Sequence, residues 1–207
     1  MNSGKLFIVS GPSGSGKDTV LQEVFKSHNE ILFSISTITR EMREGEVQDG
    51  KYHFVTRDEF ERALYNGEML EHNVYLDNYY GTPKKPVDDA IANDKEIIVE
   101  VDVNGEKNIK KIYPDAVSIF IMPPSLAVLK KRLSRRGTES EEQVKRRMKI
   151  ALREIAEAKR YDYVVVNDVL EDAVEDFISI IVSNRSSIER KINTVNEVLK
   201  DAESCNW

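Results

Sequence analysis

Cysteine is nearly absent from the chain: Cys205 is the single one in 207 residues, and only three histidines accompany it. A disulfide framework is excluded and a zinc site is unsupported, because neither residue type recurs at ligand spacing. Cys205 reads as an exposed spectator thiol. Long apolar runs are also missing. The longest, residues 6–9 and 119–122, fall far short of the roughly 20 residues a membrane-spanning helix needs. With no apolar signal segment at the N-terminus, the expectation is an unexported, cytoplasmic protein with no membrane partner. Surplus basic charge is lacking too: 30 Lys and Arg stand against 36 Asp and Glu, a formal net charge of −6. Nucleic acid is therefore not an expected partner, since phosphate backbones are held mainly by excess Lys and Arg. No repeat, low-complexity tract or Pro/Gly/Ser linker divides the sequence, so any second domain has to be an insertion within one fold.

What the sequence does have is enough length and apolar content for a packed core. With 40% hydrophobic residues, the chain suits one or two compact domains burying about 70% of their unfolded surface. Its charge is unevenly placed. Residues 130–160 carry 12 basic and 5 acidic side chains, a balance of +7, while the remainder holds 18 and 31, a balance of −13. A basic island in an acidic protein suits a small anionic ligand.

Residues 5–10, KLFIVS, form a short apolar run ending in a glycine loop, after which Val20, Leu21, Val24 and Phe25 recur at helical spacing. Strand, loop and helix are predicted in that order. Further β-branched runs at 97–101, 117–122 and 163–166 suit strands buried on both faces, with helical stretches at 103–112, 126–135 and 141–159 between or after them. Strands alternating with helices predict an α/β fold, a parallel sheet flanked by helices. Between residues 34 and 93 this rhythm breaks. Short strands at 52–55 and 69–75 around a helix at 58–65 read as an inserted, mixed α/β subdomain. Near the C-terminus, Val174, Phe177, Ile181, Ile188, Ile192, Val195 and Leu199 follow a near-heptad spacing. One long packing helix is predicted there, its stripe read as core ahead of a dimer seam, with self-association left open.

The most specific signal is Gly11-Pro12-Ser13-Gly14-Ser15-Gly16-Lys17-Asp18-Thr19, which follows a predicted strand and opens a predicted helix. Glycines let backbone N–H groups converge on phosphate oxygens, the helix directs its positive end at them, and Lys17 can bridge β- and γ-phosphates. Position 18 departs from the usual pattern, in which Ser or Thr ligates Mg²⁺ through its hydroxyl. Asp18 is a hard-oxygen ligand but also repels nucleotide phosphates, so it is expected to act through water or to turn outward. Thr19 remains available to a phosphate.

From the phosphate loop to about residue 170 the chain resembles the guanylate kinases, which are phosphate-loop nucleoside monophosphate kinases. The resemblance rests on GPSGSGK (11–17), SISTITREMREGE (34–46), YHF (52–54), MLEHNVY (69–75), NYYGTP (78–83), IIVEVDVNG (97–105), PPSLAVLKKRLSRRGTES (123–140) and YVVVND (163–168), in order. It implies transfer of the γ-phosphoryl group of ATP to GMP or dGMP, with Mg²⁺ as cofactor, on a three-part molecule. The core would comprise residues 1–35, 94–130 and 154–207, the GMP-binding insertion 36–93, and a helical lid 131–153.

Residue by residue, the resemblance implies that Arg40 and Arg43, with hydroxyls from Tyr52 and Tyr80, hold the acceptor phosphate, a role that suits charge-assisted bonding. Glu46 is expected to order these arginines. Guanine presents N1–H and an exocyclic amine as adjacent donors, which Glu71 would accept, helped by Glu100 and by Ser36 and Thr82 near O6. Asp102 follows Glu100 at strand period two, so both are expected on one face at the sheet's C-terminal edge. There Asp102 would hold Mg²⁺ through water, with Asp18 as a second candidate ligand. Lys17, Arg132, Arg136 and Arg147 would stabilise charge on the transferring group. Asn167 and Asp168 would flank adenine. The family also contains peptide-binding modules that have lost catalysis, but such modules usually lose the loop's lysine or glycines, and here Gly11, Gly14, Gly16 and Lys17 are all kept. A kinase for another acceptor would lack the guanine-reading residues, whereas Ser36, Glu71 and Thr82 are present.

Overall fold

The structure is a computed structural model and describes residues 4–75, 77–134 and 140–204. In chain order the first half contains β1 (Lys5–Ser10), α1 (Lys17–Ser27), β2 (Leu32–Phe33), β3 (Ser36–Ile38), β4 (Tyr52–Phe54), α2 (Arg57–Tyr65), β5 (Met69–Tyr75), β6 (Asn78–Pro83) and α3 (Lys84–Ala92). Then follow β7 (Glu96–Glu100), α4 (Val103–Ile112), β8 (Val117–Met122), α5 (Leu126–Ser134), α6 (Glu141–Glu157), β9 (Tyr163–Val166), α7 (Leu170–Asn184) and α8 (Ile188–Ser204).

Strand alternation builds two cores from one sheet. β1 is buried along its whole length, with Phe7 and Val9 packing beside Val20, Val24, Phe177 and Ile181 of α1 and α7. Leu6 and Ile8 point the other way, toward Val87 of α3 and Ile109 of α4. The strands run β2-β7-β1-β8-β9, and every pairing is parallel, as the alternating pattern predicts. β9 differs from the expectation of two-sided burial. It is an edge strand, so Val165 is buried while Tyr163, Val164 and Val166 are exposed.

The inserted region forms its own four-stranded sheet, β4-β3-β6-β5, with one parallel and two antiparallel pairings. Phe60 of α2 stacks on Tyr79 of β6, with ring centroids 5.0 Å apart. α2 is started by a capping box between Thr56 and Glu59. α3, which the sequence reading places inside the insertion, packs instead on the parallel sheet through Val87 and Ala90. Leu129, Leu133, Val144 and Ala151 join α5 to α6 as a small separate cluster.

The C-terminal region corrects the prediction of one long packed helix. α7 buries Ala173, Phe177 and Ile181, but the chain turns at residues 185–187 and α8 leaves Ile188, Ile192, Val195 and Leu199 exposed. Ion pairs hold the turn. Glu96, 7% exposed, accepts from Arg185 at 2.6 Å and Arg190 at 3.0 Å, and Lys5 pairs with Glu189 at 2.9 Å. Heptad spacing runs through the turn, but the two halves no longer share a face. Cys205 lies outside the described residues.

Candidate active site

The loop from Gly11 to Gly16 joins the C-terminal end of β1 to the N-terminus of α1, where ligands of parallel α/β sheets sit. Gly11 has φ +154° and an added Cβ would lie 2.0 Å from the Ile121 carbonyl oxygen. Gly16, at φ +90°, would bring a Cβ within 2.2 Å of Asn167 Nδ2. Only glycine fits either position. No side chain caps α1, which leaves its first-turn N–H groups able to face an anion.

Lys17 Nζ donates to the Gly11 carbonyl at 2.7 Å and lies 3.9 Å from Glu100 Oε1. Side chains from three other elements or their flanks support the loop. Asn167 Nδ2 and Arg132 Nη1 donate to the Ser15 carbonyl at 2.8 and 3.1 Å, and Arg132 Nη2 to the Asn167 carbonyl at 2.9 Å. Arg147 Nη2 donates to Ser13 Oγ at 2.6 Å, which brings the basic helix α6 onto the loop. Pro12 and Ser15 are buried, Ser13 and Thr19 exposed, and Asp168 is exposed beside the buried Asn167. Arg136 lies outside the described residues.

On the inserted sheet, Glu46 accepts both terminal nitrogens of Arg40 at 2.6 Å and the Arg43 N–H at 2.7 Å. The Arg40 bonds, chief among these, hold the Glu46 carboxyl at about 2, well below the usual carboxylate range. Arg40 also lies 5.5 Å over the Tyr52 ring, and Tyr52 meets Tyr80 edge-on with centroids 6.5 Å apart. Arg40, Tyr52 and Tyr80 thus adjoin one another, and Glu46 ties Arg40 to the Arg43 backbone.

Glu71 Oε1 accepts from Thr82 Oγ1 at 2.7 Å across the β5–β6 pair. Its other oxygen faces Gly105, where an added Cβ would come within 3.0 Å of it. Burial, outweighing the Thr82 bond, raises the Glu71 pKa, and the neighbouring Asp102 charge adds to the rise. Ser36 opens β3, the strand that pairs with β6.

Glu100 and Asp102 do not share surroundings. β7 ends at Glu100, and Asp102 leaves the strand to cap α4, accepting from Asn104 N–H at 2.9 Å and Gly105 N–H at 2.7 Å. Asn73 Nδ2 donates to the other Asp102 oxygen at 2.8 Å. Glu100 instead faces Lys17, Asp18 and Lys51; burial raises its pKa against the pull of Lys17. Period-two alternation stops where the strand does, so the expectation that both carboxylates act from one face is not met. Glu100 lies on the phosphate-loop side and Asp102 beside Glu71.

Four residues of this region were missed in the sequence reading. Asn73 lies two positions beyond Glu71 on β5, and Gly105 is a helix-interior glycine, itself a sign of close approach. Those signals were available. Lys51, which donates to Asp18 Oδ2 at 2.6 Å from 33 residues away, and Glu154, a partly buried acid of α6 facing Lys17 and Asp102, had none.

A parallel sheet with a phosphate loop at its C-terminal edge, carrying a second sheet with its own paired arginines, defines an α/β phosphate-loop protein built for two ligands. Comparison with known proteins makes this more particular. The guanylate kinase family profile matches residues 3–184. The guanylate kinase of Carboxydothermus hydrogenoformans is 44% identical over 190 residues, 92% of this chain and 93% of that protein. That of Lactiplantibacillus plantarum is 44% identical over 202 residues, covering 97% and 98%. The crystal structure of guanylate kinase from Anaplasma phagocytophilum superposes with a TM-score of 0.74 at 31% identity, covering 92% of this chain and 90% of that one. The chain belongs to the guanylate kinase family.

Proposed function

We propose that this protein is an ATP:GMP phosphotransferase, converting ATP and GMP to ADP and GDP, with dGMP as an alternative acceptor. The bond from the γ-phosphorus to the ADP oxygen breaks as one forms to a phosphate oxygen of GMP. Supporting this reading above all is Glu71, a partly buried carboxylate fixed by Thr82 and backed by Gly105. Ionised, it is acceptor-only, which matches the adjacent N1–H and amine of guanine and opposes the N1 lone pair of adenine. Asp102, beside it, is assigned to the base side, with Ser36 as the hydroxyl donor to O6, since the single Thr82 hydroxyl proton goes to Glu71. Arg40, Arg43, Tyr52 and Tyr80 are assigned to the acceptor phosphate, with Glu46 as their organiser.

The attacking phosphate needs no general base, since its second pKa of about 6 leaves it largely dianionic near pH 7. Positioning and charge neutralisation carry the reaction. Lys17 and Arg147 are assigned to the transferring group, together with Arg136. Arg132 braces the loop through the Ser15 and Asn167 carbonyls and keeps further N–H donors for the transferring group. Asn167 and Asp168 border the adenine side.

The donor set suits Mg²⁺. Among the described residues no three ligating side chains converge on a closed cage, but one or two carboxylates with nucleotide phosphates and water form the usual Mg²⁺ environment. Glu100, 3.9 Å from Lys17, is assigned to hold it, with Asp102 through water as the second candidate. Bound there, the ion would neutralise charge on the donor phosphates. No helix among the described residues is long and apolar enough to cross a membrane. Free nucleotides in the cytoplasm, with neither membrane nor nucleic acid as partner, complete the reading.

A coupled assay of ADP formation with GMP, dGMP, AMP, UMP or no acceptor tests it. Turnover with GMP and dGMP, at least tenfold above AMP and UMP, is the expected outcome. Equal turnover with AMP, or ADP release independent of any acceptor, would refute the assignment.

A further inference from the structure

Asp18 stands where the phosphate-loop pattern places a metal-binding hydroxyl, and its Oδ2 accepts from Lys51 Nζ at 2.6 Å. The two residues belong to different parts of the molecule. Asp18 is in the first turn of α1, directly after Lys17, whereas Lys51 precedes Tyr52 at the start of β4 in the inserted sheet. Lys51 Nζ also lies 5.7 Å over the Tyr52 ring, so it adjoins a residue assigned to the acceptor phosphate. Asp18 in turn faces Glu100, whose carboxyl lies 3.9 Å from Lys17. Without Lys51, two neighbouring carboxylates would stand beside the incoming donor phosphates with less positive charge to offset them.

We propose that Lys51 is a further positioning residue, clasped to Asp18 so that the acceptor-binding sheet is held against the phosphate loop and the two substrate sites assemble together. This rests on the reading that the loop binds ATP and the inserted sheet GMP. The insertion makes a second polar contact with the rest of the molecule, Asn73 to Asp102 at 2.8 Å. One contact engages the phosphate loop's helix and the other the start of α4, so together they restrain rotation of the insertion better than either alone. Both clasp side chains are about half exposed, 49% for Lys51 and 51% for Asp18, which keeps the pair exchangeable and its effect modest.

The test is a double-mutant cycle on the full chain with Asp18→Asn, Lys51→Met and the two combined, measuring KM for GMP, KM for MgATP and kcat at low and high salt. Melting temperatures verify that each variant is folded. Each single change is expected to raise KM for GMP two- to fivefold at low salt, and Lys51→Met should keep kcat at saturation within twofold of the parent. The combined variant should match the worse single change rather than the product of both. Lys51→Arg should restore the parent value, and high salt should shrink the difference. Multiplicative losses would overturn the clasp. So would a silent Lys51→Met together with an Asp18→Asn defect confined to MgATP, which would make Asp18 a donor-site ligand. A parent enzyme that phosphorylates GMP while Lys51→Met changes nothing refutes the clasp alone; a parent that does not phosphorylate GMP refutes the functional reading beneath it.

Discussion

β1 in the parallel sheet is buried at every residue, whereas β4 in the inserted sheet has none buried and β6 is buried only at Gly81 and Thr82. The two regions accordingly fix their ligand groups by different means. Below the phosphate loop lie Phe7, Val9, Val20 and Ile121, fully buried, and the loop's shape follows from packing and glycine backbone geometry. In the inserted sheet the positioning contacts are polar: Arg40 to Glu46, Thr82 to Glu71, Lys51 to Asp18. Water can replace such bonds at little net cost, so these contacts exchange more readily than the packing under the loop, although Leu70 ties β5 into the parallel sheet's core.

Substitutions on the two sides should separate this way. Lys17→Met is expected to cut kcat about a hundredfold or more, roughly 2.7 kcal/mol, with GMP affinity nearly unchanged, as single-turnover and binding measurements would register. A GMP dissociation constant that rises as steeply as kcat falls would erase the distinction between the regions. Gly11→Ala should lower stability by about 3 kcal/mol, because its Cβ would meet the Ile121 carbonyl oxygen at 2.0 Å. Gly45→Ala, in the insertion at φ +85° with nothing within 4 Å, should cost only about 1 kcal/mol of backbone strain. Denaturant titrations of the two variants compare these directly, and equal losses would mean that loop packing is not the rigid partner.

Glu71→Gln should keep the melting temperature and reduce kcat/KM for GMP about tenfold, roughly 1.4 kcal/mol, by presenting an amide donor to a guanine donor. Unchanged GMP kinetics would remove Glu71 from the site. The smallest effect concerns pH. Burial raises the Glu71 pKa, so acidification should protonate it, and raise KM for GMP, from a pH above the ordinary glutamate value of about 4.3. For stability the sign is opposite: a raised carboxyl pKa favours the protonated fold, so this group's contribution is fullest below the unfolded value and is lost as pH rises through the folded one. Glu71→Gln should flatten the acidic limb of the GMP profile, and a limb that persists unchanged assigns it to another group.

Legibility in the sequence followed the range of the interactions. The phosphate loop was fully readable because strand, glycines, lysine and helix are contiguous, and backbone geometry there depends on the residues themselves. The pairing of Arg40 with Glu46 is local in the same sense, since the two lie only six positions apart. Glu100 and Asp102 were misjudged because strand alternation was extended past the point where Asp102 begins capping α4. The tail was misjudged because a heptad pattern says nothing about a turn between its two halves.

By itself, then, the sequence determined the parallel α/β architecture, the glycine-rich loop between β1 and α1 and the pairing of Arg40 with Glu46, since each arises from neighbours along the chain. Tertiary structure alone decided which carboxylate faces Lys17, that α3 joins the core rather than the insertion, and that Asp18 meets Lys51. Those outcomes depend on where separate elements come to rest against one another. A charge 33 positions away is invisible to any local pattern until folding brings it within 2.6 Å.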